Sequence, residues 1–254
     1  MLLELKEVSK VFGGLEALDR ISFSLQEGEI LGLIGPNGAG KTTLFNVITS
    51  FLYPTSGEIF FAGEKIGGLK THKITQRGIN RTFQNIRLFD QMTVEENVMV
   101  GRHCRSRAGV FKSVFRTPGQ KKEENLIREK TNDLLELVGL TGYNTFPAMS
   151  LPYGLQRRVE IARALAGQPR LILLDEPVAG MNDSETEEMA LLIKKILGLG
   201  ITVLLIEHDM SMVMKVCDRL VVLNFGQKIA EGTPQEIQSN PEVIEAYLGR
   251  EEEE

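Results

Sequence analysis

Leu3 and Leu5, and later Ile21, Phe23 and Leu25, alternate with polar neighbours. A period of two places every second side chain on one face, so the first thirty residues predict strands with one buried side. Gly13-Gly14 and Glu27-Gly28 supply turns. The pattern then changes. Ile30–Ile34 is an almost unbroken apolar run, which suits a short strand covered on both faces. A glycine-rich stretch follows, and residues 42–52 read as a helix that stops before Pro54. Ile59, Phe60 and Phe61, ahead of Ala62-Gly63, predict a further strand and turn.

From Val94 to Ala166 the spacing becomes helical. Leu126, Ile127, Leu134, Leu135 and Val138 share one helical face, with charges elsewhere. Residues 102–119 interrupt this region; they are polar, basic and broken by glycine and proline, which predicts a loop. After Pro169 strand and helix alternate again. Residues 171–174, 201–206 and 220–223 predict buried strands, and 185–199 a helix with Met189, Leu192, Ile193 and Ile196 inward. Thr233-Pro-Gln-Glu236 is a capping-box start with proline in the first turn. The tail 251–254 is expected to fray. The order predicts an α/β core with one inserted helical subdomain.

Composition narrows the class. With 42% hydrophobic and 25% charged residues the chain is ordinary globular material, not a disordered one. A net charge of −5 argues against nucleic acid as a partner. The local run of Arg102, Arg105, Arg107, Lys112 and Arg116 reads as a solvated loop, or as a contact for acidic lipid or a partner. Two cysteines, Cys104 and Cys217, with no Cys-x-x-Cys, speak against a disulfide framework or a zinc site and fit a reducing cytoplasm. Glu4, Lys6 and Glu7 break any signal-peptide core. No apolar run approaches the roughly 20 residues that cross a bilayer, so a membrane role would come through a partner.

The chemistry starts at the glycine-rich stretch. Gly35, Pro36, Asn37, Gly38, Ala39, Gly40, Lys41 and Thr42, followed by Thr43, match the phosphate-binding loop in full, between a buried strand and a helix. The glycines let backbone N–H groups approach a polyphosphate, and the helix N-terminus adds positive potential. Lys41 is expected to reach the β- and γ-phosphates of ATP, and the Thr42 hydroxyl to ligate Mg²⁺. A second metal acid is supplied by Asp175, at the end of a buried strand. Glu176, where the chain leaves that strand before Pro177, can turn toward the γ-phosphate and activate water. Spacing alone does not assign Gln84 or His208, and by default Phe12 reads as core.

At this point the chain resembles the ABC ATPase family over nearly its whole length. The resemblance implies a P-loop NTPase with a RecA-like core, an N-terminal antiparallel β subdomain and an inserted α-helical subdomain. It implies one cassette over 1–254, with core 1–88 and 167–254 and the helical part at about 89–166. Phe12 resembles the aromatic that stacks on adenine. Arg81-Thr-Phe-Gln84 resembles the Q-loop, whose glutamine approaches Mg²⁺ and the attacking water and whose loop faces a permease. Leu151, Pro152, Tyr153 and Gly154, running on to Arg157, stand where the family has its signature, which contacts the nucleotide of the opposite subunit. Asp175 and Glu176 resemble the Walker B pair, Ala179-Gly-Met-Asn182 the D-loop, and His208 the switch histidine. Two departures stand out. Pro152 occupies the place of the signature serine and has no hydroxyl, with Tyr153 and Leu155 replacing a glycine and a glutamine. The D-loop ends in Asn182 where aspartate is usual.

Within the family the nearest likeness is to the larger ATPase of branched-chain amino acid uptake systems. It is carried by residues 151–158, the insertion at 102–120 and the ending 231–249. That likeness implies the ATPase of an importer, peripheral on the cytoplasmic face of the inner membrane. Its partners would be transmembrane permease subunits and a second cassette in a head-to-tail dimer, with a solute-binding protein acting indirectly. The alternatives are an export ATPase or a cassette for another solute, a soluble ABC ATPase outside transport, and a P-loop kinase. The kinase would need neither the signature-like stretch nor His208.

Overall fold

The computed structural model describes residues 1–102 and 118–248. The chain opens with β1 (Leu3–Phe12), β2 (Leu15–Leu25), β3 (Ile30–Ile34), α1 (Lys41–Ile48), β4 (Ser56–Phe61), β5 (Glu64–Lys65), α2 (Thr71–Arg77) and β6 (Ile79–Arg81). A helical stretch follows, with α3 (Val94–Arg102), α4 (Pro118–Leu137) and α5 (Tyr153–Ala166). The rest alternates: β7 (Leu171–Asp175), α6 (Asp183–Gly198), β8 (Thr202–Ile206), α7 (Met210–Val216), β9 (Arg219–Asn224), β10 (Gln227–Gly232), α8 (Pro234–Gln238) and α9 (Pro241–Leu248).

Two sheets result. One is antiparallel in the order β2-β1-β4-β5; the other runs β10-β9-β3-β8-β7-β6, parallel except for β10 on its edge. The period of two in the central strands separates two cores. Leu31 and Leu33 of β3, Leu171 and Leu173 of β7, and Leu204 and Ile206 of β8 face the antiparallel sheet and α1. Ile30 and Ile34, Ile172 and Leu174, and Val203 and Leu205 point the other way, against α3, α5, α6 and α7. Continuous apolar runs in these strands are therefore two alternating faces, each buried. The carboxyl ends of β3, β6, β7 and β8 lie along one edge of the parallel sheet, where ligands of such sheets bind.

Several expected boundaries shift. Helix α1 ends at Ile48, short of residue 52, because Ser50 adopts a left-handed φ of 57°. Helix α6 starts at Asp183 rather than 185. The predicted loop 102–119 is helical at both ends: Arg102 closes α3, and Pro118, which costs nothing as the first helical residue, opens α4. Residues 103–117, with Cys104, Arg105, Arg107, Lys112 and Arg116, lie outside the described residues, as does the tail 251–254. Leu126, expected on the buried face of α4, is 49% exposed, while Leu135 and Val138 are buried. Periodicity marks the apolar stripe but not how far along the helix its neighbours reach. Strands β5, β6 and β10 and helices α2 and α7 were not legible, since they are short and mostly polar or unpatterned.

Candidate functional site

The loop after β3 fits its place only as glycine at two points. Gly35 has φ 145°, and a Cβ there would lie 2.0 Å from the Leu223 carbonyl oxygen of β9. Gly40, the N-cap of α1, has φ 101°, and its Cβ would lie 2.7 Å from the Ala17 carbonyl oxygen of β2. Ala39 N–H donates to the Pro36 carbonyl at 3.2 Å, and Gly226 N–H, from the β9–β10 turn, donates to the Ala39 carbonyl at 3.1 Å. The loop is thus clamped between two sheets and runs into the N-terminus of α1, which adds positive potential there. Lys41 Nζ donates to the carbonyls of Gly35 at 2.6 Å and Pro36 at 2.9 Å, which holds the ammonium over the loop.

A cleft of about 500 Å³ opens on this loop. It is lined by Asn37, Gly38, Ala39, Gly40, Lys41, Thr42 and Thr43, and also by Phe12, Gln84, Glu176 and His208. The residues that spacing alone left unassigned are therefore brought together with the loop. Phe12, which reads as core by default, is 43% exposed at the cleft. Pro36 and Gly35 serve as the acceptors of Lys41. Leu151, Pro152, Tyr153 and Gly154 do not line the cleft; Pro152 is the N-cap of α5 and Tyr153 and Gly154 begin it, and a Cβ on Gly154 would approach Glu185 Oε1 at 3.2 Å.

Glu176 is the point of convergence. It follows β7 with φ 49°, a left-handed conformation that costs a non-glycine residue roughly 1–2 kcal/mol. This turn takes its side chain out of the alternation of β7 and into the cleft. Gln84 Nε2 donates to Glu176 Oε2 at 2.9 Å, and His208 Nε2 lies 2.9 Å from Oε1. A carboxylate only accepts, so in this contact Nε2 carries the proton. Asp175, one residue earlier, is 1% exposed. Its Oδ2 accepts from Arg81 Nη2 at 2.6 Å, while its buried Oδ1 has no hydrogen-bond partner. The Arg81 guanidinium is itself held by Asn46 Oδ1 at 2.7 Å and lies over the rings of Phe45 and Phe83 at 5.3 and 5.2 Å.

Residues 18–179 match the family model for the ABC transporter, and residues 227–253 that for the branched-chain amino acid ATP-binding cassette transporter. The chain belongs to the ABC transporter family. It is 45% identical, over 98% of both chains, to the high-affinity branched-chain amino acid transport ATP-binding protein BraF of Pseudomonas aeruginosa. The crystal structure of an ATP-binding cassette of an ABC transporter in its ADP conformation superposes with a TM-score of 0.85. It is 36% identical over 98% of each chain. A dimeric cassette in a post-hydrolysis state, bound to ADP and Pi, gives a TM-score of 0.78 at 27% identity, over 92% of this chain and 99% of that one.

Within this ABC cassette some site residues carried no readable sequence signal. Arg81 stood only as part of a motif, and its acid partner is 94 positions away. Glu207 is buried and accepts the N–H groups of Val178 at 2.9 Å and His208 at 3.0 Å, so it shapes the backbone that presents the histidine. Burial pushes its carboxyl above the ordinary range, against those bonds. Asp209 caps α7 through the Met212 N–H at 3.0 Å, and that bond holds its carboxyl below the usual range. Phe225, at the β9–β10 turn, also lines the cleft. Asn182 is the N-cap of α6, paired reciprocally with Glu185.

Proposed function

We propose that this chain is the ATP-hydrolysing subunit of an importer for branched-chain amino acids, working on the cytoplasmic face of the inner membrane through a separate permease. It forms one cassette, with a core of residues 1–88 and 167–254 and a helical subdomain at about 89–166. The observation that carries the chemistry is the meeting of Gln84 and His208 on the two oxygens of Glu176, in the cleft that the glycine-rich loop lines.

In this reading Phe12 stacks on adenine. The backbone N–H groups of residues 38 and 40–43 and the α1 dipole hold the phosphates, and Lys41 moves from the loop carbonyls to the β- and γ-phosphate oxygens. Glu176 takes the proton of the attacking water, a general-base step that contributes typically about 10²–10⁴ in rate. Gln84 orients that water, and His208 keeps the carboxylate aimed. The water oxygen bonds to the γ-phosphorus as the bond to the β–γ bridging oxygen breaks, and ADP leaves. Thr42 and Asp175, with Gln84, are the residues that would hold Mg²⁺, which when bound neutralises charge on the β- and γ-phosphates. The unpartnered, buried Oδ1 of Asp175 suits that task.

Leu151, Pro152, Tyr153 and Gly154 would meet the nucleotide of a second cassette in a head-to-tail dimer. Pro152 brings no hydroxyl, so the Gly154 N–H and the N-terminus of α5 supply the contact. The related cassette that is dimeric with ADP and Pi supports this arrangement. The name of the Pseudomonas relative and the family match over residues 227–253 support the substrate class. Among the described residues no helix is long and apolar enough to cross a membrane, which leaves the pathway to permease subunits, fed by a solute-binding protein.

The test is reconstitution of the chain with its permease in lipid vesicles. Binding protein loaded with leucine, isoleucine or valine should stimulate ATP hydrolysis several-fold, and Lys41→Ala should abolish both hydrolysis and ATP binding. Stimulation by some other solute alone would overturn the substrate class. Undiminished ATP binding by Lys41→Ala would overturn the nucleotide site.

A further inference from the structure

Helix α5 carries two charges inside the protein. Arg157 has no exposed side-chain surface, and Glu160, one turn on, is 1% exposed; their ion pair measures 2.8 Å. Withdrawing a pair this far from water gains little net stability, because desolvation of both charges offsets their attraction. Three further hydrogen bonds of the pair reach the main chain of Phe83 and Gln84, and one stays within the helix at Tyr153. One terminal nitrogen of Arg157 donates to the Phe83 carbonyl; the other donates to the Gln84 carbonyl at 2.6 Å and the Tyr153 hydroxyl at 3.1 Å. Glu160 Oε1 accepts the Phe83 N–H at 3.3 Å, and Arg163 stands 3.8 Å from the same oxygen. Burial pushes the Glu160 carboxyl above its ordinary range, with Arg157 drawing it back down.

We infer that Arg157 is a positioning residue: seated on Glu160, it ties Tyr153 of the signature stretch to the main chain of Gln84, and so sets where Gln84 meets Glu176. A planar guanidinium suits the task, since its fixed fork serves two adjacent carbonyls at once where a point charge serves one. The departure at Tyr153 acquires a role. The glycine usual there has no hydroxyl to accept from the guanidinium and no ring beside it, whereas the Tyr153 ring centroid lies 5.8 Å from the guanidinium carbon. A signature stretch engaged by a partner's nucleotide would in this way bear on the glutamine of its own cleft. The inference rests on the proposed role of Glu176.

Three variants of the full chain test it. Arg157→Lys keeps a cation beside Glu160. Arg157→Gln combined with Glu160→Gln removes both charges together. Tyr153→Phe removes a single hydroxyl from a half-exposed ring and leaves the ion pair whole. Amide exchange of residues 83–86 should speed up by about tenfold in the first two and by a few-fold in the third, with the thermal midpoint near that of the parent. In the first two, kcat for ATP should fall by about tenfold with KM within about twofold, the mark of a group that acts after binding. Parental exchange at 83–86 in any folded variant, or parental kcat with faster exchange, would overturn the inference. If Glu176→Gln turned over ATP at the parental rate, the base assignment would fail, whereas the exchange result would still decide whether Arg157 holds the loop.

Discussion

The two oxygens of Glu176 each meet a different side chain, and neither contact involves its neighbours in sequence: Gln84 lies 92 positions away and His208 lies 32. The residues that bind a phosphate by backbone shape were legible, because glycine spacing expresses the conformation directly. Gly35 and Gly40 are required by carbonyl oxygens that press on them. The residues that act by pairing were not legible without the family resemblance, since a lone glutamine or histidine has no local signal. Glu207 shows the difference and permits a test. Burial raises its carboxyl above the ordinary 4.5, so the folded chain holds that proton more tightly than the unfolded one. The stability this adds is complete below the unfolded value and is lost as pH rises through the folded value. Glu207→Gln should therefore flatten the fall in thermal midpoint as pH rises above the ordinary carboxylate value. Parallel melting curves for parent and variant would assign Glu207 an ordinary titration.

Element boundaries were set by caps more than by apolar spacing. Helix α6 begins where the Asn182 side chain accepts the Glu185 N–H at 3.0 Å and Glu185 returns a bond to the Asn182 N–H at 3.0 Å. The apolar positions Met189, Leu192, Ile193 and Ile196 are buried as their spacing predicts, but they could not locate the first turn. The substitution of asparagine for the usual aspartate keeps a capping oxygen. Asn182→Ala should cost about 1 kcal/mol, a drop of roughly 2–4 °C in thermal midpoint for a chain of this size. Calorimetry that finds no change would mean the box contributes nothing to α6. Strand β6, by contrast, owes its existence to its neighbour. It has three residues, two of them polar, and is held as a strand by parallel pairing with β7. No property of residues 79–81 alone separates them from a loop.

At the scale of the molecule, the parallel sheet gathers the ends of β3, β6, β7 and β8 on one edge, so four segments distant in sequence share one cleft. The signature stretch lies outside that cleft; in the proposed head-to-tail pair it would close over the nucleotide of a second cassette. Glu176→Gln should accordingly bind ATP, hydrolyse it at least about a hundredfold more slowly, and run as a dimer by light scattering when ATP is saturating. A monomer under those conditions would sink the head-to-tail arrangement. The sequence by itself determined the alternation of strand and helix, the two faces of the central strands and the phosphate loop, because these follow from side-chain period and from backbone freedom within a few residues. Only the tertiary structure decided that Arg81 neutralises Asp175, that Arg157 holds the main chain at Gln84, and that Phe12 stands open at the cleft. Those are relations across tens of positions, where burial and partner choice depend on which elements come to lie side by side.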